Sequence, residues 1–366
     1  MHIVILGCGQ LSRLMAKAGL KLGKKFTFVA IGDESIDCVA GMGPIVRWHK
    51  PMSAEALLQA TGVPDVVIVE RENIDVKLLL ELSMHCKVYP GPEAVANCQH
   101  RLKEKLALKK LNLPATPWRA ISDKQSLDNA AEIFGFPLII KSFVDGYDGK
   151  NQWHIQNAAE LDALIAQVEP VDWIVEPKIN FSNEVSLIGV RSSIGDVKFY
   201  SLTENHHERG ILKRSIAPYE QVNQEQLSDM QAQMKRLMNS WQYVGVIAME
   251  MFVTDSGFLI NELAPRVHNS GHWTDNSLTT SQFENHIRAI AGMPLGPTQT
   301  KQYTGMVNIL GASNRKPKVD SLDGDINLYD KQPRLGRKLG HVNLTDVSRD
   351  KLLTRMLSTE QQIYSS

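Results

Sequence analysis

Ala248-Met249-Glu250-Met251-Phe252-Val253-Thr254-Asp255-Ser256-Gly257-Phe258-Leu259-Ile260-Asn261-Glu262 is the stretch that decides how this chain is read. Two apolar runs flank a turn ending in glycine. This predicts a β-hairpin with Asp255-Ser256-Gly257 as a three-residue loop and Gly257 at positive φ. Such a loop sets Thr254 opposite Phe258, and the same register sets Glu250 opposite Glu262. Their Cβ atoms then lie roughly 5 Å apart on one face of the ribbon, where like charges repel. Met, Phe, Leu and Ile around them make the charged forms costlier still. A divalent cation resolves the conflict. Mg²⁺ takes hard oxygen ligands, typically one or two carboxylates plus substrate phosphates, and Mn²⁺ is the alternative ion. Asn261 adds a neutral oxygen, although strict alternation turns it to the other face unless a bulge intervenes. The competing reading is a register one residue off, with one glutamate solvated.

A second motif lies upstream. Phe136-Pro137-Leu138-Ile139-Ile140-Lys141 reads as a buried strand ending in lysine, followed by Asp145-Gly146-Tyr147-Asp148-Gly149-Lys150-Asn151-Gln152. Glycines let backbone N–H groups approach phosphate oxygens closely, and a lysine supplies a point charge. The Walker pattern is absent. A plain β-turn beside a snorkelling lysine fits the same residues.

Outward from these motifs, the first hundred residues alternate strand and helix. Strands are expected at Ile3–Leu6, Phe26–Ile31 and Asp65–Val69, and helices at Leu11–Leu22 and Val76–Met84. That alternation predicts a parallel sheet covered on both faces. A helical, charged Gln99–Lys110 and the breaker run Leu113-Pro114-Ala115-Thr116-Pro117 place a domain boundary near residue 99. The region to about 300 mixes strands (Leu138–Lys141, Trp173–Glu176, Glu184–Val190, Gly245–Val253, Phe258–Leu263) with a long helix over Gln224–Trp241. The rest holds short strands, a basic loop and a helix from about Asp346. The expected fold is therefore α/β and α+β: a Rossmann-like parallel-sheet domain (1–98), a central α+β domain (99–300) and a small C-terminal domain (301–366).

The formal net charge of zero over 366 residues argues against a nucleic-acid protein. Cys8, Cys38, Cys86 and Cys98 form no C-x-x-C pair and read as reduced structural thiols. The apolar lead Ile3–Leu6 is too short for a signal peptide, and no run reaches the ~18 apolar residues of a membrane helix. A soluble cytoplasmic protein, with no membrane partner, is expected.

Lys141, the loop Gly146–Gln152 and the block Asn261-Glu262-Leu263-Ala264-Pro265-Arg266-Val267-His268-Asn269-Ser270-Gly271-His272 resemble the ATP-grasp superfamily, and within it the N5-carboxyaminoimidazole ribonucleotide synthases. The likeness runs from Gly7-Cys8-Gly9-Gln10-Leu11 to Tyr329-Asp330-Lys331 and Gly340-His341. It implies that the central domain is an ATP-grasp domain, that ATP and Mg²⁺ are used, and that the chain forms a homodimer. Arg101 and Lys141 would contact ATP phosphates, and Gly146, Tyr147, Asp148, Gly149, Lys150, Asn151 and Gln152 would fold over them as a lid. Glu176, Pro177, Lys178 and Ile179 would form the adenine hinge, reading the base through main-chain groups. Glu184 would hold the ribose, with His207 near the nucleotide and Asn261 beside the phosphates. Glu250 and Glu262 would bind the metal. Ser12 and Asn151 stand where the family usually has glycine. Asn tolerates left-handed φ, so the loop is expected to survive.

The likeness also implies a ribonucleotide substrate, aminoimidazole ribonucleotide, whose phosphate needs positive charge and N–H donors. Arg266, His268, Asn269 and Ser270 follow the metal strand, and Lys331, Arg334, Arg337 and Lys338 form a basic loop punctuated by Gly336 and Gly340. A solvated loop is the competing reading of that loop. Gly7-x-Gly9 opens a helix after a strand and suggests a phosphate-binding turn, with Gln10 a contact. Glu70 and Glu72 sit at the carboxyl edge of a strand, where α/β ligands bind. The implied reaction joins bicarbonate to the substrate amine through carboxyphosphate, with Arg266 and Lys331 holding the reacting anions. Three alternatives remain open: a formate-using glycinamide ribonucleotide ligase of the same superfamily, a nicotinamide-dependent oxidoreductase built on the glycine turn, and a nucleotide-binding regulator without turnover.

Overall fold

The computed structural model describes residues 1–144, 151–277, 279–314, 317, 319 and 321–364. Val66–Val69 is buried at every position and His2–Leu6 nearly so, as a strand covered on both faces requires. They sit centrally in a five-stranded parallel sheet of order Ile45–Trp48, Lys25–Ile31, His2–Leu6, Val66–Val69, Lys87–Tyr89. This is the Rossmann-like arrangement expected from the alternation. Helices Gln10–Lys21 and Val76–Ser83 fall within a residue or two of expectation.

The helical run expected over Gln99–Lys110 is the helix Arg101–Lys110, and a further short helix, Pro92–Cys98, precedes it. Helix Arg101–Lys110 reverses the usual logic of burial. Glu104, Lys105 and Leu108 face inward while Leu106 is exposed, because this helix packs on a polar site. The breaker segment after it runs beside the hairpin, where Thr116 N–H donates to Ile260 O at 3.1 Å and Ile260 N–H to Pro114 O at 2.7 Å.

Among the described residues, a large antiparallel sheet has the order Gly257–Ala264, Gly245–Thr254, Asn183–Arg191, Thr203–Glu208, Ile211–Ala217, Tyr303–Leu310, Lys338–Asp346, Asp325–Leu328. A smaller sheet orders Arg119–Ile121, Trp173–Pro177, Leu138–Ser142, Gln152–Ile155. The strands after residue 300 thus continue the central sheet, and helix Arg349–Tyr364 packs across them through Leu352 and Met356. No described helix is long and apolar enough to cross a membrane.

The decisive hairpin forms with a correction. Thr254 pairs with Gly257, not Phe258, so the turn is one residue tighter than expected. A bulge then falls between Glu250 and Met251, where Met251 pairs with Ile260 and Glu250 with Glu262. Asn261 is the extra residue. The tighter turn and the bulge offset each other, so the carboxylates still face one another.

Candidate active site

Glu250 and Glu262 are directly opposed on neighbouring strands. Burial pushes the Glu250 carboxyl up to about 7, and the facing Glu262 charge adds to this while His207 opposes it. Such crowded negative charge is what a divalent cation relieves. Among the described residues no three His, Cys, Asp or Glu side chains gather as a metal cluster. Two carboxylates with phosphate oxygens completing the shell is the manner of Mg²⁺, so the donor set fits that ion.

The bulge turns Asn261 toward the lysine strand. Lys141 Nζ lies 3.3 Å from Asn261 Oδ1 and 2.6 Å from Glu176 Oε2. Lys105 Nζ lies 2.7 Å from Glu176 Oε1 and also reaches Thr116 Oγ1 (2.6 Å) and Asn261 O (3.1 Å). Burial alone would raise the Glu176 carboxyl, but the two ammonium groups hold it well below the usual carboxylate range. Both of its carboxylate oxygens are therefore engaged within the protein. The Lys178 main-chain N–H is occupied by Pro137 O at 3.0 Å. Pro177 ends its strand opposite Leu138, and Ile179 follows.

Sequence reasoning missed Lys105, Thr116 and Glu104. Glu104 accepts from Leu263 N–H at 3.1 Å, and burial pushes its carboxyl up to about 8. The available signal was charge at helical spacing: Arg101, Glu104, Lys105 and Leu108 share one face. Arg101 Nη1 donates to Ser142 O at 2.7 Å, at the end of the lysine strand. Gln152 pairs with Lys141 across the small sheet, and Asn151 before it adopts φ 49°, the left-handed conformation expected of it. Gly146, Tyr147, Asp148, Gly149 and Lys150 lie outside the described residues.

On the other side of the acidic pair, His207 Nδ1 is 2.7 Å from Glu184 Oε2. Burial would lower this imidazole, but the charges of Glu184, Glu250 and Glu262 raise it overall. His268 Nε2 lies 3.0 Å from Glu250 Oε1. Burial, with Arg266 and Lys338 nearby, holds His268 well below the usual histidine range.

Three of the residues expected to meet the substrate, Asn269, Ser270 and Arg266, have side chains already engaged within the protein. Asn269 and Asn308 exchange amide hydrogen bonds of 3.1 and 2.7 Å, and Ser270 is fully buried against Ser186 and His268. Their side chains support the site from beneath. Arg266 forks onto Glu72, with Nη2 3.1 Å from Oε1 and Nε on Oε2, and Nη1 donates to Val267 O at 3.3 Å, so its Nε–Nη2 edge is taken by a carboxylate. Arg334 is exposed, and its carbonyl accepts from Arg337 N–H at 3.1 Å in the loop turn. Arg337 Nη1 in turn donates to Gln332 O at 3.0 Å.

The glycine turn is also not an empty phosphate cradle. Leu11 N–H donates to Glu70 Oε1 at 3.3 Å, so a carboxylate already sits at this helix N-terminus. A Cβ on Gly9 would come within 2.2 Å of Glu70 Oε1, and one on Gly7 within 2.9 Å of Glu70 Cβ. These glycines make room for Glu70, and the nicotinamide reading loses its basis. Ser12 donates to Gly7 O at 2.7 Å, which suits a hydroxyl there. Lys331 Nζ bonds Gln10 Oε1, and Arg13 Nη2 pairs with Asp330 Oδ2 at 2.8 Å, docking the basic loop on this helix. Gln10, Glu70 and Lys331 are thus brought together as expected. Burial raises the Glu70 carboxyl and lowers Lys331.

Comparison with known proteins finds three family matches along the chain. Residues 1–99 match the ribonucleotide synthetase preATP-grasp domain, 106–283 the ATP-grasp domain, and 304–355 the phosphoribosylaminoimidazole carboxylase C-terminal domain. The chain is 36% identical over 364 residues to an N5-carboxyaminoimidazole ribonucleotide synthase of Pseudomonas aeruginosa, covering 99% of each. A crystal structure of the Thermus thermophilus synthetase superposes with TM-score 0.90 at 35% identity, covering 100% of this chain and 99% of that one. An ADP complex of an N5-carboxyaminoimidazole ribonucleotide synthetase superposes with TM-score 0.89 at 34% identity, covering 98% and 96%.

Proposed function

The chain belongs to the N5-carboxyaminoimidazole ribonucleotide synthase family, and from that membership we infer that it is an ATP-grasp ligase of purine biosynthesis. It uses ATP and bicarbonate to carboxylate the amine of 5-aminoimidazole ribonucleotide. A bicarbonate oxygen attacks the γ-phosphorus, ADP leaves, and carboxyphosphate forms. The amine then attacks the carboxyl carbon, or CO₂ released from it, and phosphate departs. Bicarbonate is a poor acceptor for an amine, and phosphorylation supplies its leaving group.

The observation that carries this reading is the bulged hairpin. In it Glu250 faces Glu262 while Asn261 meets Lys141, which supports a metal and a phosphate chain lying between them. Mg²⁺, held by Glu250 and Glu262, would supply charge neutralisation on the transferring phosphoryl group. Lys141 and Arg101 serve the phosphates, with Lys105 and Glu176 holding Lys141 in place. Glu184 and His207 serve the ribose side. Gln10, Glu70 and Lys331 hold the ribonucleotide, with Lys338 adding charge near Glu250. Arg266, clamped by Glu72, contributes positive charge without direct bidentate contact. Positioning and charge stabilisation then account for most of the rate. The domain limits 1–98, 99–300 and 301–366, a homodimer and a cytoplasmic place belong to the same proposal.

ADP release tests it. Turnover should require ATP, Mg²⁺ and bicarbonate and should rise when aminoimidazole ribonucleotide is added. Turnover with formate and glycinamide ribonucleotide instead would favour the sister ligase. ATP binding without turnover would favour the regulator.

A further inference from the structure

Beneath the acidic pair, polar side chains sit where the sheet would ordinarily be apolar. Ser186, Ser215 and Ser270 are at most 1% exposed and Asn205 is 7% exposed. Ser186 lies directly opposite Glu250, and Asn205 opposite Ser215. Asn205 Nδ2 is 2.5 Å from Ser186 Oγ, Ser215 Oγ is 2.8 Å from Asn205 Oδ1, and Ser186 Oγ is 2.8 Å from Ser270 Oγ. Ser270 Oγ is in turn 2.8 Å from His268 Nδ1, whose Nε2 meets Glu250 Oε1 at 3.0 Å.

One contact sets the direction of every other. Ser270 N–H points at His268 Nδ1 at 3.3 Å, and a backbone N–H can only donate. Nδ1 is therefore an acceptor, and the Ser270 hydroxyl beside it must donate to it as well. Ser270 Oγ then accepts the Ser186 hydroxyl, Ser186 accepts the Asn205 amide, and Asn205 Oδ1 accepts from Ser215. An imidazole whose Nδ1 accepts cannot be the doubly protonated cation, so its one proton sits on Nε2, where Glu250 receives it. Each atom has one role, and all donors point toward Glu250.

We propose that this one-way chain, Ser215–Asn205–Ser186–Ser270–His268–Glu250, locks His268 as the tautomer that donates from Nε2 and so aims Glu250 at the metal–phosphate unit. Ser186, Asn205 and Ser215 are then positioning residues for the reaction. The role assigned to Glu250 rests on the ligase reading, whereas the tautomer does not. Partners that orient metal-binding groups from behind are worth 10–100-fold in affinity or activity. Buried polar groups are costly when unpaired, and each side-chain N or O atom of Ser215, Asn205, Ser186, Ser270 and His268 has a partner.

The test is a long-range ¹H–¹⁵N spectrum of ligand-free protein labelled at histidine, with His268 assigned by loss of its signals in H268Q. Protonation on Nε2 is the expected result, and protonation on Nδ1 would overturn the proposal. Asn205→Asp, close to isosteric, would accept from both Ser215 and Ser186. That turns the Ser186 and Ser270 hydroxyls around and takes a donor from Nδ1. His268 should leave the pure Nε2–H state, and kcat for bicarbonate-dependent ADP release should fall about 10-fold or more. A folded N205D with wild-type spectrum and wild-type kcat would overturn the chain. Ser270→Ala removes the hydroxyl donor without adding charge but keeps the backbone N–H on Nδ1, so His268 should stay protonated on Nε2 while kcat falls in the same way, and a wild-type kcat in folded S270A would overturn the chain equally. Nε2 protonation in a protein that shows no bicarbonate-dependent turnover would support the chain and count against the ligase reading.

Discussion

Glu176→Gln should destabilise the protein by an amount that the geometry sets. The Glu176 side chain is 4% exposed and sits between Lys105 (3%) and Lys141 (12%), at 2.7 and 2.6 Å. In the variant, the amide nitrogen faces one of the ammonium groups, donor to donor, and two buried cations lose their counter-ion. Removing one partner of a buried ion pair costs about 3–5 kcal/mol because the other charge is left uncompensated. At about 2.1 cal/mol/K per residue, a chain of 366 residues unfolds with an entropy near 0.8 kcal/mol/K. If it melts as one transition, Tm should drop by about 4–6 °C. The pH dependence has a definite sign. The folded-state carboxyl of Glu176 is depressed by Lys105 and Lys141 against the opposing effect of burial. Its stabilisation is therefore complete above the unfolded carboxylate range and is lost only as pH falls through the lower folded value. Scanning calorimetry of wild type and variant at pH 7 and pH 5 should give the same gap, with narrowing only in stronger acid. A gap below 1 °C at pH 7 would refute the claim that these lysines depend on Glu176.

Other substitutions test the rest of the site. Glu250→Gln and Glu262→Gln each should slow ADP release about 100-fold, since a metal-held phosphoryl group draws several kcal/mol of stabilisation and 1.36 kcal/mol is tenfold. An undiminished rate in either variant would remove the metal assignment. Gly9→Ala drives a Cβ to within 2.2 Å of Glu70 Oε1. It should cost about 1–3 kcal/mol by overpacking and raise KM for the ribonucleotide but not for ATP, as steady-state kinetics with each substrate varied will report. Arg266→Ala should raise the ribonucleotide KM about tenfold or more while ATP binding survives. Arg266→Lys should restore little, because an ammonium cannot reproduce the fork onto Glu72. Wild-type kinetics in the alanine variant would contradict both statements.

Local sequence was enough for features whose physics is local. Strand and helix alternation in the first hundred residues translated into a parallel sheet because two-sided burial leaves a continuous apolar run, as at Val66–Val69. The facing glutamates were legible because a hairpin pairs residues close in sequence, although the tighter turn and the bulge at Asn261 were not. Neither leaves a mark on apolar alternation, and their effects on register cancel.

Tertiary structure decided what long-range pairing decides. The run to Lys110 reads only as charged and helical, yet it buries Glu104 and Lys105, because Glu176 and the Leu263 N–H come from strands far along the chain. The glycine turn reads as a phosphate cradle, yet Glu70 fills it from a neighbouring strand. Arg266 reads as a free phosphate grip, yet Glu72, in the N-terminal domain, holds its fork. In each case residue type declared a charge, and only the folded chain supplied the partner that determined what that charge can do. A buried charge takes its energy from its nearest neighbours, and those neighbours are distant in sequence.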